Sequence, residues 1–469
     1  LSLNNTSFQS TIVVSAADAL ATKTIYARFT PSVKALTISG VVTVAGNSIN
    51  KQIGNFTGSS VLKADTFDVV TYNLEFFGTA VKDAKGVEFG PTNNTLQVEN
   101  VAKVMNKLNA DVYVVQEVSD EPSLDDLIKK ISVNGKTFDK TISTSWSYSF
   151  EKTPDPFFPP QKLVVLYNTQ TTTVKKTRVM FKDLYDQIQA GQTTLPNYPE
   201  GSSKSFFSSG RLPYMVKIET NIAGVTKEIN LIDLHARANS GSDISKYNMR
   251  KYDSQVLKDS LDQYYPNSNL IILGDYNDDV KASVIAPNPS SYKMFVDDTA
   301  NYTALTLEIS KAGAFSYLSS NGFLDHIMIS NELNDQYIPN SIAVYDPRAD
   351  IADYVNTTSD HGPVIARFEL KAATLSVPDF ETKNGYFVQA FPNPTTDVVN
   401  VVVKTNTDKK LKFKLYDITG HLVGNPVEIN SSEDFSTTAV PVNYLPSGIY
   451  VYALTENNKI VYKGKIIKN

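Results

Sequence analysis

From residue 67 onward, short apolar runs alternate with stretches whose apolar positions recur at helical spacing. FDVVTYNL (67–74), DVYVVQEV (111–118), KLVVLYN (162–168), YMVKIET (214–220), EINLIDLHA (228–236), NLIILGDYN (269–277), LDHIMIS (324–330) and PVIARFEL (363–370) read as strands. Several are almost continuously apolar, which fits strands covered on both faces. LQVENVAKVMNKLN (96–109), SLDDLIKKI (123–131) and SKYNMRKYDSQVLKDSLDQYY (245–265) lie between strands and read as helices. This alternation predicts stacked layers of α and β. The stretch from about 170 to 210 is polar, with Gly, Ser and Pro, and is expected to be a long surface excursion bordering a site.

The two ends differ from this middle. TIVVSAA (11–17), KTIYARFT (23–30) and ALTISGVVTVA (35–45) alternate apolar with polar residues and predict strands. We therefore expect residues 1–62 to be a partial immunoglobulin-like all-β segment. The catalytic unit is expected over 65–370, a linker over 371–388, and a small antiparallel β-sandwich over 389–469. In the last, FVQAFPNPTTDVVNVVV, LKFKLYDITGHLV, GIYVYALTENN and KIVYKGKIIKN are separated by turn-forming dipeptides.

Composition narrows the chemistry. With 469 residues, 41% apolar and 20% charged, the chain has the balance of a globular protein of about three domains. No stretch reaches the roughly 18 apolar residues of a membrane span, so no transmembrane segment is expected. The chain opens on Leu1, and a processed or truncated start is expected. It holds no cysteine, which excludes disulfides, thiolate metal sites and cysteine nucleophiles. The net charge of −5 gives no overall basic footprint for nucleic acid. Attraction to phosphate must then come from a local basic patch or a bound cation.

Polar residues gather at the ends of the predicted buried strands. Asn73, Glu117 and His235 each end one; Asp275 and Asn277 follow NLIILG; Asp325 and His326 precede IMIS; Asp360 and His361 precede PVIARF. A rigid sheet can aim such side chains at a shared site. Of four histidines in the chain, three fall in these segments. Imidazole moves protons near neutral pH. Carboxylate and amide oxygens suit a hard cation, Mg²⁺ first, with Mn²⁺ or Ca²⁺ as alternatives and Zn²⁺ a poorer match.

TYN (71–73), QE (116–117), LHA (234–236), GDYN (274–277), LDH (324–326) and SDHGP (359–363) occur in the order found in the endonuclease/exonuclease/phosphatase superfamily, which this region resembles over about 300 residues. The resemblance implies a four-layer α/β sandwich of two packed mixed sheets flanked by helices. It implies that Glu117 binds a catalytic metal with Asn73 nearby, and that Asp360 lies in the metal region. Asp275 would orient or activate the attacking water, and Asn277 would hold the phosphate. His361 would contact the phosphate or act as a base, oriented by Asp325. His235 would donate a proton to the leaving oxygen, and Arg211 in GRLPY would border the site. There is one departure: Gln161 stands where deoxyribonuclease I-like members carry a Glu that pairs with the histidine matching His235. That departure bears on the acid role of His235. His326 reads as structural, and His421 as surface decoration.

The C-terminal motifs resemble a type IX secretion sorting domain, which implies the type IX machinery as a partner and a secreted or cell-surface protein. A carbohydrate-binding sandwich would want an aromatic platform, and the one tryptophan, Trp146, lies outside this region. Together these features predict a secreted Mg²⁺-dependent phosphodiesterase, foremost an extracellular nuclease acting on DNA or RNA. The alternatives are a phosphoesterase on lipid or inositol headgroups, and an inactive surface-binding protein of the same fold.

Overall fold

The computed structural model describes residues 1–20, 22–28, 30, 38–46, 48–145, 156–199, 202–371, 385–405, 407–431 and 435–469. Two compact units emerge, Leu1–Ala372 and Ala373–Asn469. Near the N-terminus, β1 (Ile38–Gly46) and β2 (Ile49–Gly58) form an antiparallel hairpin. The strands expected at 11–17 and 23–30 are not found among the described residues. An isolated bridge joins Ser2 to Tyr26 instead. Alternation marks a segment as able to line a sheet face, but without a partner strand its backbone groups have no ladder to join. The part of the third expected strand at 35–37, and Trp146, lie outside the described residues.

The large unit then runs β3 (Phe67–Phe77), α1 (Asn94–Leu108), β4 (Val112–Val118), α2 (Glu121–Ile131), β5 (Phe138–Ile142), β6 (Lys162–Asn168), β7 (Thr172–Val179), α3 (Lys182–Gln189), α4 (Phe206–Gly210), β8 (Tyr214–Ile222), β9 (Val225–His235), α5 (Ile244–Tyr264), β10 (Leu270–Asp275), α6 (Lys293–Val296), β11 (Tyr302–Ala304), α7 (Leu307–Lys311), β12 (Asp325–Ser330), β13 (Ala343–Val344), α8 (Tyr354–Thr357) and β14 (Val364–Phe368). Two six-stranded mixed sheets result, ordered β13-β14-β3-β4-β6-β5 and β11-β12-β10-β9-β8-β7.

The two-residue period of the strands explains the layering. Val69, Val112, Val114, Ile271, Leu273, Ile327 and Ile329 share one buried cluster drawn from both sheets. Their neighbours turn the other way. Val70, Tyr113 and Val115 pack with Val101 and Met105 of α1 and Leu124 and Leu127 of α2. Ile272 and Met328 pack with Leu257 and Leu261 of α5. The unit is therefore a four-layer α/β sandwich, and strands covered on both sides explain the continuous apolar runs. Asn93 starts α1 and Asp120 starts α2, each accepting a first-turn N–H at 3.0 and 2.8 Å respectively. The polar 170–210 stretch is less of an excursion than expected. It contributes edge strand β7, and Met180, Ile188, Tyr198, Phe206 and Phe207 bury themselves in the α5-side core.

One close approach fixes the ends of two strands. Gly274 has φ +141°, and a Cβ there would sit 2.0 Å from the Leu234 carbonyl oxygen. Only glycine lets β10 lie this near β9 just before Asp275.

The smaller unit holds β15 (Tyr386–Phe391), β16 (Val398–Thr405), β17 (Lys409–Tyr416), β18 (Leu422–Ser431), β19 (Ser436–Pro441), β20 (Gly448–Glu456) and β21 (Lys459–Lys468). They pair antiparallel into sheets β15-β16-β19 and β18-β17-β20-β21. Val399, Val401, Phe413, Tyr452 and Leu454 lie in the core between them.

Candidate active site

The parallel pairs β3/β4 and β9/β10 end together, and loops beyond such ends are natural sites. Register places Asn73 beside Gln116, and Asp275 beside both His235 and Asp325. One cleft is lined by Glu75, Glu117, Arg211, His235, Asp275, Asn277, Asp360 and His361, along with Phe76 and Tyr317. Residues almost 290 positions apart in sequence thus face one space.

Asn73 ties the two sheets together. Its Nδ2 donates to Glu117 Oε1 at 3.2 Å and to Asp275 Oδ2 at 3.1 Å, while its Oδ1 accepts from the Glu75 amide at 3.0 Å. Glu117 also accepts from the Phe76 amide at 3.1 Å. Burial alone would raise the Glu117 carboxyl, but His235, Arg211 and Asn73 outweigh it and bring it down to about 2. Asp275 accepts from the Asn277 amide at 2.8 Å and from Asn277 Nδ2 at 3.1 Å. Asn277 sits at φ 51°, and its carbonyl accepts from Asn239 at 2.7 Å.

His361 Nδ1 meets Asp325 Oδ2 at 2.6 Å, and the same oxygen accepts from Ser316 at 2.6 Å. Burial opposes charge on this imidazole, but Asp325, Asp360 and Asp275 prevail and raise its pKa well above the ordinary value. Its Nε2 lies 3.7 Å from Asp360 Oδ1. The Tyr317 ring lies 5.1 Å from the imidazole, and Tyr354, itself bonded to the buried Tyr72 hydroxyl, donates to the His361 carbonyl at 2.8 Å.

His235 has different surroundings. Its Nε2 is 2.9 Å from Arg211 Nη1 and 3.3 Å from Glu117 Oε1. Burial and the Arg211 charge lower its pKa. A neutral imidazole that accepts from Arg211 at Nε2 carries its proton on Nδ1, which has no hydrogen-bond partner. Arg211 is only 5% exposed, with Nη1 donating to the Ala236 carbonyl at 2.8 Å and Nη2 to Gln161 at 3.0 Å. The residue that departs from the family pattern therefore pairs with Arg211 rather than with His235.

Glu75 is a site residue that strand-end reasoning missed. Register between β3 and β4 slips between Asn73 and Phe77, where Glu75 and Phe76 both take left-handed φ values, 48° and 47°. This bulge aims Glu75 at the Asp360 amide, 2.8 Å away. Burial, then Asp360 and Glu117, push its carboxyl up to about 8. A charged residue inside the apolar run TYNLEFF was the available signal. His326, by contrast, lies off the cleft, fully buried between Thr306 at 2.8 Å and the Phe323 carbonyl at 3.1 Å.

A buried ion pair braces the loops behind the site. Arg250 of α5 is 1% exposed; it meets Asp278 at 3.3 Å and donates to the Arg237 carbonyl and to Asn239 Oδ1, both at 2.9 Å. Arg250→Met should lower unfolding free energy by about 3–5 kcal/mol, because it removes one partner of a buried ion pair. Urea denaturation measures this, and a loss below about 1 kcal/mol would refute the brace.

Between the sheets, Asp233 is fully buried and accepts from Gln116 at 2.7 Å. Burial raises its pKa well above the ordinary value. The folded form therefore holds the proton more tightly than the unfolded one. That stability is complete below about pH 4, the unfolded pKa, and drains away as pH rises toward the raised value. Asp233→Asn, which copies the neutral acid, should flatten the fall in stability that sets in as pH rises above about 4. An unchanged slope in urea titrations would count against a neutral Asp233.

A four-layer sandwich with carboxylates, amides and a His–Asp pair at its strand ends defines a hydrolase of the phosphoester-cleaving class. The chain belongs to the endonuclease/exonuclease/phosphatase family, whose model matches residues 70–361. Residues 389–469 match the secretion system C-terminal sorting domain, which directs export by type IX secretion to the cell surface or beyond. Among the described residues no helix is long and apolar enough to cross a membrane. Similar solved structures include a D. rerio TDP2 humanized by 14 mutations, with 12% identity over 65% of this chain and 99% of that one at TM-score 0.40. The human Nocturnin catalytic domain with bound sulfate shares 13% identity over 65% and 94%, at TM-score 0.39. An endonuclease/exonuclease/phosphatase from Bacteroides vulgatus shares 12% over 65% and 99%, at TM-score 0.41. No curated protein matches the sequence.

Enzymes of this family generally use divalent metal ions. Among the described residues, no three His, Asp or Glu side chains already converge as a ligand set. The donor chemistry nonetheless fits a hard cation. Glu75, Glu117, Asp275 and Asp360 share one cleft, and Arg211 is the one Lys or Arg among its lining residues. Burial and neighbouring carboxylates, Asp360 and Glu117 for Glu75 and Glu117 and Asp275 for Asp360, raise both groups.

Proposed function

We propose that this chain is a secreted, metal-dependent phosphodiesterase that cuts nucleic acid, DNA or RNA. The carrying observation is the meeting of Glu117, Asp275, Asp360 and His361 in one cleft. A phosphodiester is anionic and would be repelled by this acidic floor, so a cation must stand between them. Glu117 and Asp360, with Asn73 and Glu75 beside them, are the residues to hold it. When bound, a Mg²⁺-class ion supplies charge neutralisation at the phosphoryl oxygens and at the leaving oxygen.

The protein groups do the rest. Asp275 is held by Asn73 and by both nitrogens of Asn277, and orients a water for attack. Asn277 and His361 face the phosphoryl group as donors. The Asp325 partner keeps the imidazole charged, so His361 acts by donating from Nε2 to growing negative charge rather than as a base. A neutral His235 accepting from Arg211 has no proton at Nε2 to give a leaving oxygen, so its role is to hold the Arg211 guanidinium whose charge favours the Glu117 carboxylate. Arg211 buttresses that pair from inside rather than greeting substrate at the surface.

The test is hydrolysis of plasmid DNA, RNA, sphingomyelin and bis-p-nitrophenyl phosphate, each with Mg²⁺ and with EDTA. We expect nucleic acid and the model diester to be cut with metal and spared by chelation. Cleavage of sphingomyelin alone would move the assignment to lipid headgroups. No hydrolysis of any ester would leave an inactive binding protein.

A further inference from the structure

We infer that the catalytic cleft carries a base-stacking subsite built on Phe76, and that the substrate is a strand with unpaired nucleotides at the scissile phosphate. This rests on the phosphodiesterase reading above. Phe76 lines the cleft that holds Glu117 and His361, and its own amide donates to Glu117 Oε2 at 3.1 Å. Any group attached to a phosphate held there comes within reach of the Phe76 ring.

Phe76 does not stand alone. Phe89 lies 5.2 Å away between ring centroids, Phe158 lies 5.9 Å from Phe76, and Phe89 and Phe158 are 5.0 Å apart. All three are only half-buried, so the trio forms part of the surface rather than part of the core. Gly90 closes the support from below: a Cβ at that position would lie 3.2 Å from Phe76 Cβ. A bulky residue at φ 47° is unfavourable by itself, and the residue held in that conformation is one that lines the cleft. Hydrolysis at Glu117 and Asp275 has no need of an aromatic trio. A planar base does, because every base offers a π face to an aromatic ring.

Charge points the same way. A duplex binder draws its affinity from Lys and Arg contacts along two phosphate backbones. Among the described lining residues of this cleft Arg211 is the sole cation of that kind, and it is only 5% exposed. Stacking must then supply much of the substrate affinity, and a base can stack on protein only when it has left its own helix.

The experiment compares single-stranded oligonucleotides that carry either normal bases or abasic tetrahydrofuran residues flanking one cleavable phosphate. It uses the full chain with Mg²⁺, wild type against Phe76→Leu and Phe76→Tyr. The readout is the ratio of kcat/KM for base-bearing over abasic strand, so a general loss of activity cancels. Wild type should favour the base-bearing strand by about tenfold, with the difference in KM. Phe76→Tyr should keep that ratio, and Phe76→Leu should bring it close to one. The same sequence annealed into a duplex should be cut more slowly than the single strand. A wild-type ratio of one, a ratio unchanged in Phe76→Leu, or a duplex cut as fast as the strand would each overturn the subsite while leaving the phosphodiesterase standing. No cleavage of either strand would remove both.

Discussion

His361→Ala should lower turnover of a phosphodiester by about 10²–10⁴-fold, the range for losing a positioned proton-bearing group. The imidazole is held on three sides: by Asp325 at 2.6 Å, by the Tyr317 ring at 5.1 Å, and through its own carbonyl by Tyr354. Its Nε2, 3.7 Å from Asp360 Oδ1, is the nitrogen left for the cleft that His361 lines. Since the carboxylates around it favour the charged ring, activity should not decline as pH rises through the ordinary histidine range near 6.5. A base role predicts the opposite, with activity rising only above that range, as the ring loses its proton. Asp325→Asn should weaken the charge on the ring and bring that decline into view. The effect should fall on kcat more than KM, because the donated bond strengthens as charge grows on phosphate. Near-wild-type activity in a folded His361→Ala protein would remove this residue from the mechanism.

Glu117→Gln should be nearly as damaging, with activity down about 10³-fold at modest Mg²⁺, the scale seen when one preorganised electrostatic group is lost. The carboxylate already has donors in Asn73 and the Phe76 amide, and His235 stands 3.3 Å off. A glutamine keeps the shape but turns an NH₂ toward one of these donors and removes the charge. Metal affinity should fall with it. In the wild type, Mg²⁺ at 100 times its Kd should stabilise the fold by about 2.7 kcal/mol and raise the melting temperature accordingly. That rise should shrink in Glu117→Gln at the same concentration. An equal thermal shift in both proteins would place the ion elsewhere.

Much of this was legible in the sequence, for a physical reason. A strand covered on both faces must be apolar throughout, so a polar residue at its end stands out. Asn73, Glu117, His235, Asp275 and Asp325 stood out in that way; Glu117, His235 and Asp275 line one cleft, and Asn73 and Asp325 are hydrogen-bonded to residues that line it. Glu75 escaped because it lies past the end of the regular ladder, where a bulge reverses its direction. The exchange of partners around Arg211 was also hidden. Gln161 reads as a lost carboxylate, yet nothing in its sequence neighbourhood says that an arginine 50 residues on will take up its oxygen. The strands expected at 11–17 and 23–30 misled because alternation records what a segment could line, and pairing depends on a neighbour the local sequence does not name; the third, at 35–45, does form β1 over its described part.

Crystals grown with Mn²⁺ and measured at its absorption edge would show whether the cleft holds the cation. A strong anomalous peak is expected in contact with the Glu117 carboxylate, on the Asp360 side of the cleft, lost on chelation. A peak confined to another surface, or an empty cleft in crystals of protein that still cleaves diesters, would contradict that placement.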